Sequence, residues 1–194
     1  MENNYGKSML GLERVSKEDT NMQKKNAQGC SPEMQAKIAQ MEKELKKFTD
    51  AQAAVQKNLT TFDELDFKVF SGRDWTRLHE SHHKDVKVNW PDGHSTTGIE
   101  RHIQDLDAMF VYAPDTNIAV HPVKIGSEDW TAVIGVMTGT FTLPMPTGDG
   151  KFIPPTGKKY SITMCTVGHW KDGVMIEEWL FWDNMTYMKQ IGLG

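Results

Sequence analysis

The chain has 194 residues, a net charge of −4 and a hydrophobic fraction of 38%. This length is enough for one domain with an appendage. The charge argues against the extended basic surface that nucleic-acid binding requires. No stretch approaches the roughly 18 apolar residues of a membrane span, and the N-terminal residues show no apolar leader segment. We therefore expect a cytoplasmic protein that binds neither nucleic acid nor membrane.

The N-terminal part is predicted to be a tail followed by a helix. Residues 1–30 are polar and lack apolar periodicity. Residues 31–57 are predicted to be an amphipathic helical extension, because Ser31 can cap a helix and Pro32 suits its first turn. Its apolar residues recur at heptad-like spacing: Met34, Ile38, Met41, Leu45 and Phe48. Such a stripe packs either on its own domain or on a second subunit.

Residues 58–194 are predicted to form one α+β domain. Capping and periodicity predict helices over 61–70 and 75–84 and a third helix after Thr97. The predicted strands cover 86–90, 118–125, 130–142, 160–170 and 174–182. Helices that precede strands favour three helices packed on one face of a strongly curved, mainly antiparallel sheet.

Two features of the strand region are predicted to shape a binding site. Gly135 and Gly139 interrupt one long strand, which predicts a bulge or a sharp bend. Residues 144–158, rich in proline and glycine, are too many for an ordinary hairpin connection. We expect this loop to form the rim of a pocket, although a plain surface loop is the alternative.

The last two predicted strands carry the main candidates for chemistry. Residues 171–173 fit a three-residue hairpin loop whose glycine is left-handed. This loop would place His169 and Asp183 on one face of the hairpin, together with Trp179 and Phe181. A carboxylate among aromatic side chains loses hydration, so its pKa should rise and suit acid–base chemistry at neutral pH. A structural role for Asp183, as a cap or in an ion pair, stays open.

Both faces of this hairpin are largely apolar in sequence. One face is expected to pack on the helices of the same domain. A second subunit is the simplest cover for the other face. We therefore expect a homodimer.

The C-terminal half also resembles a known family. The order and spacing of several short segments are similar to those of the SnoaL-like polyketide cyclases, also called ester cyclases, of the nuclear-transport-factor-like superfamily. These segments are Pro155-Thr156-Gly157-Lys158, Lys171-Asp172-Gly173-Val174, Glu177-Glu178-Trp179, Asp183 and Gln190-Ile191-Gly192-Leu193. The resemblance extends from about Asn58 to the end of the chain.

The resemblance implies a cone-shaped α+β barrel, usually dimeric through its outer sheet face. It also implies acid–base catalysis without a cofactor or metal, of the kind that closes a polyketide ester by aldol chemistry or runs a related isomerase or hydrolase reaction. Asp183 would be the general acid/base, and His169 would assist it. In the cyclases an asparagine early in the sequence also contributes to the site. Asn89 is the nearest match to it here and is expected to contact the ligand.

The aromatic residues of this region indicate the class of ligand. Phe152, Trp179 and Phe181 are expected to contact an apolar or aromatic carbonyl-type ligand.

Two other functions stay open. A protein of this fold can bind a small molecule without turnover. His79, Glu80 and His83 also match the H-E-x-x-H pattern of zinc hydrolases. The predicted helix is short and no third ligand follows it, so an ordinary polar helix surface is the expected role of this motif.

Overall fold

The computed structural model describes residues 31–194, and the predicted tail 1–30 lies outside the described residues. The chain divides after Phe48 into two units, of which the second, Thr49–Gly194, contains the sheet. Helix α1 spans Pro32–Glu64 and continues as a π-helical segment, Leu65–Phe70. The two predicted helices 31–57 and 61–70 are therefore one continuous helix, and the predicted break between them is wrong.

The apolar stripe of the first helix is exposed. Its five side chains have between 37% and 68% of their surface accessible: Met34, Ile38, Met41, Leu45 and Phe48. Further along α1, Val55, Leu59 and Phe62 are buried. Pairing of the stripe with a second subunit stays a prediction. No helix in residues 31–194 is long and apolar enough to cross a membrane.

The second predicted helix is the least accurate of the predicted elements. A short 3-10 helix covers Trp75–Glu80, and strand β1 follows at His82–Asn89. Val86 and Val88 are fully buried and Lys87 between them is exposed, which is the two-residue period of a strand. Strand β2 covers Ser95–Thr97, and helix α2 covers Ile99–Tyr112 at the position of the third predicted helix.

The remaining elements are mostly strands, and the three long predicted strands are present. The bounds are β3 Asn117–Ile118, β4 Val123–Ser127, β5 Trp130–Thr140, β6 Met145–Pro146, β7 Phe152–Ile153, β8 Lys159–Lys171, β9 Val174–Trp182 and α3 Asn184–Ile191. The predicted strand 118–125 is thus two strands, β3 and β4. The loop 144–158 contains the small β6–β7 pair, and helix α3, which was not predicted, follows the last strand.

The main sheet has seven strands, in the order β2-β1-β9-β8-β5-β3, with β4 also paired to β5. All pairs are antiparallel except β1 with β9, so the sheet is mixed. The α+β class is confirmed. The expected strongly curved, cone-shaped barrel with three helices is seen only in part. In the described part of the chain the end strands of this order do not pair with each other, and two α-helices, α1 and α2, stand where three helices were expected.

The final hairpin turns through two residues, not three. Lys171 pairs with Val174, and both Asp172 and Gly173 have positive φ, as a tight hairpin turn requires. An irregularity then inserts one extra residue, Ile176, because Trp170 pairs with Met175 but His169 pairs with Glu177. Beyond this bulge, His169, Trp179 and Phe181 lie on one face of the hairpin, as predicted.

The inner face of the sheet forms the core with the helices. Its buried side chains include Ile162, Met164 and Trp170 of β8 and Met175, Glu178 and Leu180 of β9. They pack with buried side chains of α1 and α2, among them Phe62, Leu106 and Phe110. The face that carries His169 is therefore the outer face.

The expected bulge in strand β5 is wrong, and Gly139 instead makes room for an aromatic ring. The register of β5 with β8 runs without a shift from Trp130–His169 to Thr140–Lys159. A Cβ atom at Gly139 would lie 2.5 Å from the hydroxyl oxygen of Tyr160. The Tyr160 hydroxyl is itself held by Thr116 at 2.7 Å. The ring cannot move away without losing this buried hydrogen bond.

We expect Gly139→Ala to lower the free energy of unfolding by about 1–3 kcal/mol, the usual cost of overpacking a core. Gly72→Ala is the matched control, because nothing lies within 4 Å of its added Cβ and its φ is negative. Urea unfolding followed by circular dichroism measures both variants. Equal stability of the two variants would contradict the role given to Gly139.

Candidate functional site

A pocket with a cavity volume of about 40 Å³ lies against the inner face of the sheet. Its walls come from the π-helical segment, α2 and strands β1, β3, β5, β8 and β9. The lining is mainly apolar: Leu65, Phe70, Leu106, Met109, Ile118, Met137, Met164, Leu180 and Trp182. Five polar side chains also line it: Asp66, His82, His102, Thr166 and Glu178. An apolar cavity with a few converging polar groups is the usual form of a small-molecule site.

One polar wall is a buried cluster of His82, His102 and Glu178. The side chains are 1%, 2% and 5% exposed, respectively. Glu178 Oε2 lies 3.4 Å from His102 Nε2 and 3.7 Å from His82 Nε2. The two imidazole rings are 5.0 Å apart between centroids. These three groups come from β1, α2 and β9, so the fold brings them together from distant parts of the sequence.

The cluster shifts the acidity of its members. Burial raises the pKa of Glu178, but the two neighbouring imidazoles outweigh this effect and hold the pKa below its ordinary value. Burial lowers the pKa of His102 to about 4. His102 is therefore neutral at pH 7, and Glu178 is ionised there.

The second polar wall is Asp66, which begins a chain of hydrogen-bonding groups. Asp66 Oδ2 lies 2.8 Å from His121 Nε2, and His121 Nδ1 lies 2.8 Å from Asp63 Oδ1. The Lys124 ammonium donates to the other oxygen of Asp63. The side chains at the pocket end are the more buried ones, with 12% of Asp66 and 1% of His121 exposed, whereas Asp63 and Lys124 are both 29% exposed. The chain thus connects the pocket with solvent.

The groups of this chain have opposite pKa shifts. Burial raises the pKa of Asp66, although its hydrogen bond with His121 opposes the rise. Burial lowers the pKa of His121, but its hydrogen bonds to Asp66 and Asp63 outweigh this effect and raise it. Desolvation raises the pKa of Asp63, but Lys124 and His121 outweigh it and lower the pKa. Asp66 is therefore the carboxyl group of this hydrogen-bonded chain whose pKa is shifted upwards, toward neutral pH.

Local backbone geometry explains how Asp66 reaches the pocket. Asp63 and Asp66 are three residues apart, about one helical turn, so both carboxylates reach the same imidazole. Asp66 stands in the π-helical segment that ends α1, a form often found at functional sites. His121 lies between β3 and β4, and its ring packs on Phe67 with centroids 4.4 Å apart.

Asp183 and His169, the sequence-predicted acid–base pair, are not brought together in the pocket. Asp183 is the exposed N-cap of α3, where its carboxylate accepts hydrogen bonds from the backbone amides of Met185 and Thr186. The Thr186 hydroxyl also donates to it, and these contacts lower its pKa. The expected burial and raised pKa of Asp183 are therefore wrong. His169 lies on the outer sheet face, stacked on Trp130.

The four predicted ligand contacts do not line the pocket. Asn89, at the end of β1, donates to the Glu177 carboxylate and to the Glu178 carbonyl, so it supports the sheet beside the pocket. Trp179 and Phe181 point to the outer face, because that face carries His169. Phe152 is 65% exposed in the β6–β7 loop.

The H-E-x-x-H pattern does not form one helical face. Its first histidine is in the 3-10 helix, where His79 Nδ1 contacts the Thr76 carbonyl, and His83 lies in strand β1. Glu80 is paired with Arg77. The zinc-hydrolase arrangement of these residues is therefore wrong.

Sequence reasoning missed all of the ionisable groups in the pocket. The weak signal for Asp66 was its one-turn spacing from Asp63. No local pattern marks His102 or His121, because their partners lie tens of residues away along the chain. Glu178 is next to Glu177 in the sequence. The two glutamates can be told apart only when it is known which face of strand β9 points into the core.

Comparisons with known proteins agree with this fold. The family model described as SnoaL-like polyketide cyclase matches residues 64–191. A search of curated protein sequences finds no match.

Solved structures similar to the chain cover most of it at low identity, which shows the fold alone. A SnoaL-like protein from Jannaschia sp. CCS1 is 22% identical, with a TM-score of 0.62 over 72% of this chain and 94% of that protein. IdmH from Streptomyces antibioticus is 23% identical, with a TM-score of 0.60 over 70% and 98%. An NTF2-like protein from Burkholderia pseudomallei is 17% identical, with a TM-score of 0.56 over 70% and 98%.

The raised pKa of His121 makes stability depend on pH. A histidine with a raised pKa stabilises the fold below its unfolded pKa, about 6.5, and this contribution is lost as the pH rises through the folded value. Asp63, Asp66 and, through Asp63, Lys124 are the charged groups that face this ring. We therefore expect the free energy of unfolding to fall as the pH rises from 6.5 to 9.

Urea unfolding across this pH range measures the effect. The decline should be smaller in His121→Gln and unchanged in His83→Gln, whose side chain is 44% exposed. A flat profile for the unmodified protein, or the same decline in His121→Gln, would show that His121 is not held in its charged form.

Proposed function

The chain is a member of the SnoaL-like polyketide cyclase family, and on that premise we propose that it is an enzyme that transfers protons on a small, apolar carbonyl-type ligand held in the inner pocket. The observation that carries this proposal is a carboxyl group, Asp66, that lines an apolar pocket and has a raised pKa. Such a group can both accept and donate a proton near neutral pH.

Asp66 is assigned as the general acid/base. In this role its carboxylate removes a proton from the carbon next to the ligand carbonyl, and its protonated form returns one. His121 positions Asp66 through the 2.8 Å hydrogen bond and exchanges the proton with Asp63, which is open to solvent. His121 acts through Asp66, because it does not line the pocket itself.

The pocket limits the ligand to a small, mainly apolar molecule. Its cavity volume of about 40 Å³ is room for only a few water-sized groups, so a larger ligand enters only when the flexible methionine side chains of the wall move aside. The aliphatic and methionine side chains of the lining favour hydrocarbon or aromatic groups, since methionine adapts to irregular shapes. A carbonyl group can be placed by the polar side chains that interrupt this lining, including Thr166.

We expect Asp66→Asn to slow proton transfer by about 10²–10⁴-fold, the usual contribution of a general acid/base. The probes are 2-tetralone and ethyl benzoylacetate. Their binding is followed by tryptophan fluorescence, because Trp182 lines the pocket. Exchange of their α-protons for deuterium is followed by NMR.

Two further variants sharpen this test. Asp85→Asn removes a carboxylate whose side chain is 66% exposed, and it should leave exchange unchanged. Asp183→Asn tests the sequence-based candidate directly. Loss of exchange in Asp183→Asn with full exchange in Asp66→Asn would return the role to Asp183. Binding of the probes without enzyme-dependent exchange would indicate a binding protein instead.

The outer face of the sheet supports the homodimer. Trp130 and Phe181 are 42% and 51% exposed there, and Ile125 is 62% exposed. Trp130 also stacks on His169 with ring centroids 4.2 Å apart, which extends this aromatic surface. Exposed apolar surface of this kind marks interaction sites, and a two-fold dimer covers the same patch on both copies.

We expect Phe181→Asp to convert a dimer into a monomer, because a carboxylate would be buried without a partner in the interface. Light scattering of the unmodified protein at micromolar concentration should give twice the chain mass of 22.0 kDa. Phe152→Asp, which changes an aromatic residue that is 65% exposed in the β6–β7 loop, should remain dimeric. A monomer mass for the unmodified protein would contradict the dimer.

A further inference from the structure

We propose that His82, His102 and Glu178 bind one divalent transition-metal ion, such as Zn²⁺ or Fe²⁺, at the wall of the inner pocket. Two histidines and one carboxylate are a common ligand set for such ions when positions are left open for a substrate or water. This inference goes beyond the proposed proton transfer by Asp66 and does not depend on it. It also departs from the expectation, implied by the family resemblance, that the site works without metal.

The distances within the cluster suit a shared ion better than hydrogen bonds. Glu178 Oε2 is 3.4 Å from His102 Nε2 and 3.7 Å from His82 Nε2, and both separations exceed the usual range of an N–H···O hydrogen bond. Two ligand atoms that each lie about 2.0–2.2 Å from one tetrahedral ion are roughly 3.3–3.5 Å apart. One ligand atom from each of the three residues lies within 4.8 Å of the other two.

The three side chains are buried with polar atoms left unpaired. Within residues 31–194, His82 Nε2, His102 Nδ1 and Glu178 Oε2 are the buried side-chain atoms without a hydrogen-bond partner. An unpaired buried polar group costs about 1–3 kcal/mol, and more when it is charged. Three unpaired buried polar atoms in one cluster are rare in native structures. A cation coordinated by His82 Nε2 and Glu178 Oε2 removes this cost for two of the three atoms.

The hydrogen bonding of His82 fixes which of its nitrogens faces Glu178. The Ser81 hydroxyl donates its only proton to the Leu78 carbonyl at 3.1 Å. The same hydroxyl lies 2.9 Å from His82 Nδ1, and this contact orients the ring. His82 Nε2 then faces Glu178 Oε2 at 3.7 Å, and in the tautomer with the proton on Nδ1 its lone pair is free to coordinate a cation. A second hydrogen bond that orients a histidine in this way is typical of metal ligands.

The position of the cluster also leaves room for a ligand on the ion. All three side chains line the inner pocket. Three protein ligands leave at least one coordination position of a zinc-like ion open. That position faces the pocket, so the ion would bind an oxygen atom of the pocket ligand or a water molecule. The H-E-x-x-H pattern of residues 79–83 is not involved, because its ligands point elsewhere.

Metal titration of the intact chain tests this inference without measuring turnover. The purified protein is stripped with a chelator, dialysed and titrated with Co²⁺, whose visible absorption reports four- or five-coordinate binding, and then with Zn²⁺ by calorimetry. We expect one ion per chain and an increase in the thermal midpoint with Zn²⁺, because an ion that binds the folded state stabilises it.

The variants identify the ligands. Glu178→Gln and His102→Ala should each abolish stoichiometric binding, whereas His83→Ala, which changes a histidine whose side chain is 44% exposed, should retain it. Ser81→Ala keeps all three ligands and should weaken binding by about 10–100-fold, as loss of a supporting hydrogen bond does. This variant keeps the test decisive if a ligand variant does not fold. Absence of stoichiometric metal, or unchanged affinity in Ser81→Ala or Glu178→Gln, would overturn the proposal.

Discussion

The register of the final hairpin is the constraint on which the site depends. The two-residue turn at Asp172 and Gly173 by itself would pair the strands so that Glu177 faced inward. The extra residue at Ile176 shifts the pairing by one, and Glu178 takes the inner position instead. The inserted residue thus decides that Glu178, and not Glu177, is the carboxylate of the inner face, together with Leu180 and Trp182.

A buried carboxylate has to be compensated, and the surrounding structure is arranged to do so. Desolvating an ionised carboxylate costs several kcal/mol unless partners replace its water. Glu178 has His82 and His102 within 4 Å, and Asp66 on the other polar wall has His121. Each carboxylate comes from a different element from its histidines. The pocket therefore exists only in the folded chain, and its chemistry follows from how these charges are satisfied.

Much of the fold was predictable from local sequence, but the site was not. The hairpin turn, the three long strands and α2 follow from turn residues and periodicity over a few neighbours. Alternation along a strand shows which side chains share a face, yet it does not show which face is inside. Which face is inside depends on tertiary packing. The face that carries Glu178 is inside, and the face that was predicted to form the site, with His169, is outside. Asp183 precedes a short helix, and its capping role could have been inferred from that position.

The proposed acid–base role of Asp66 depends on burial, which raises the pKa of its carboxyl group. The most direct test is its pKa, measured by NMR titration of protein with ¹³C-labelled aspartate carboxyls and assigned by the resonance missing in Asp66→Asn. We expect this resonance to titrate above the ordinary aspartate value of about 3.9. Titration at or below that value would contradict the assignment of Asp66 as the acid/base of the pocket.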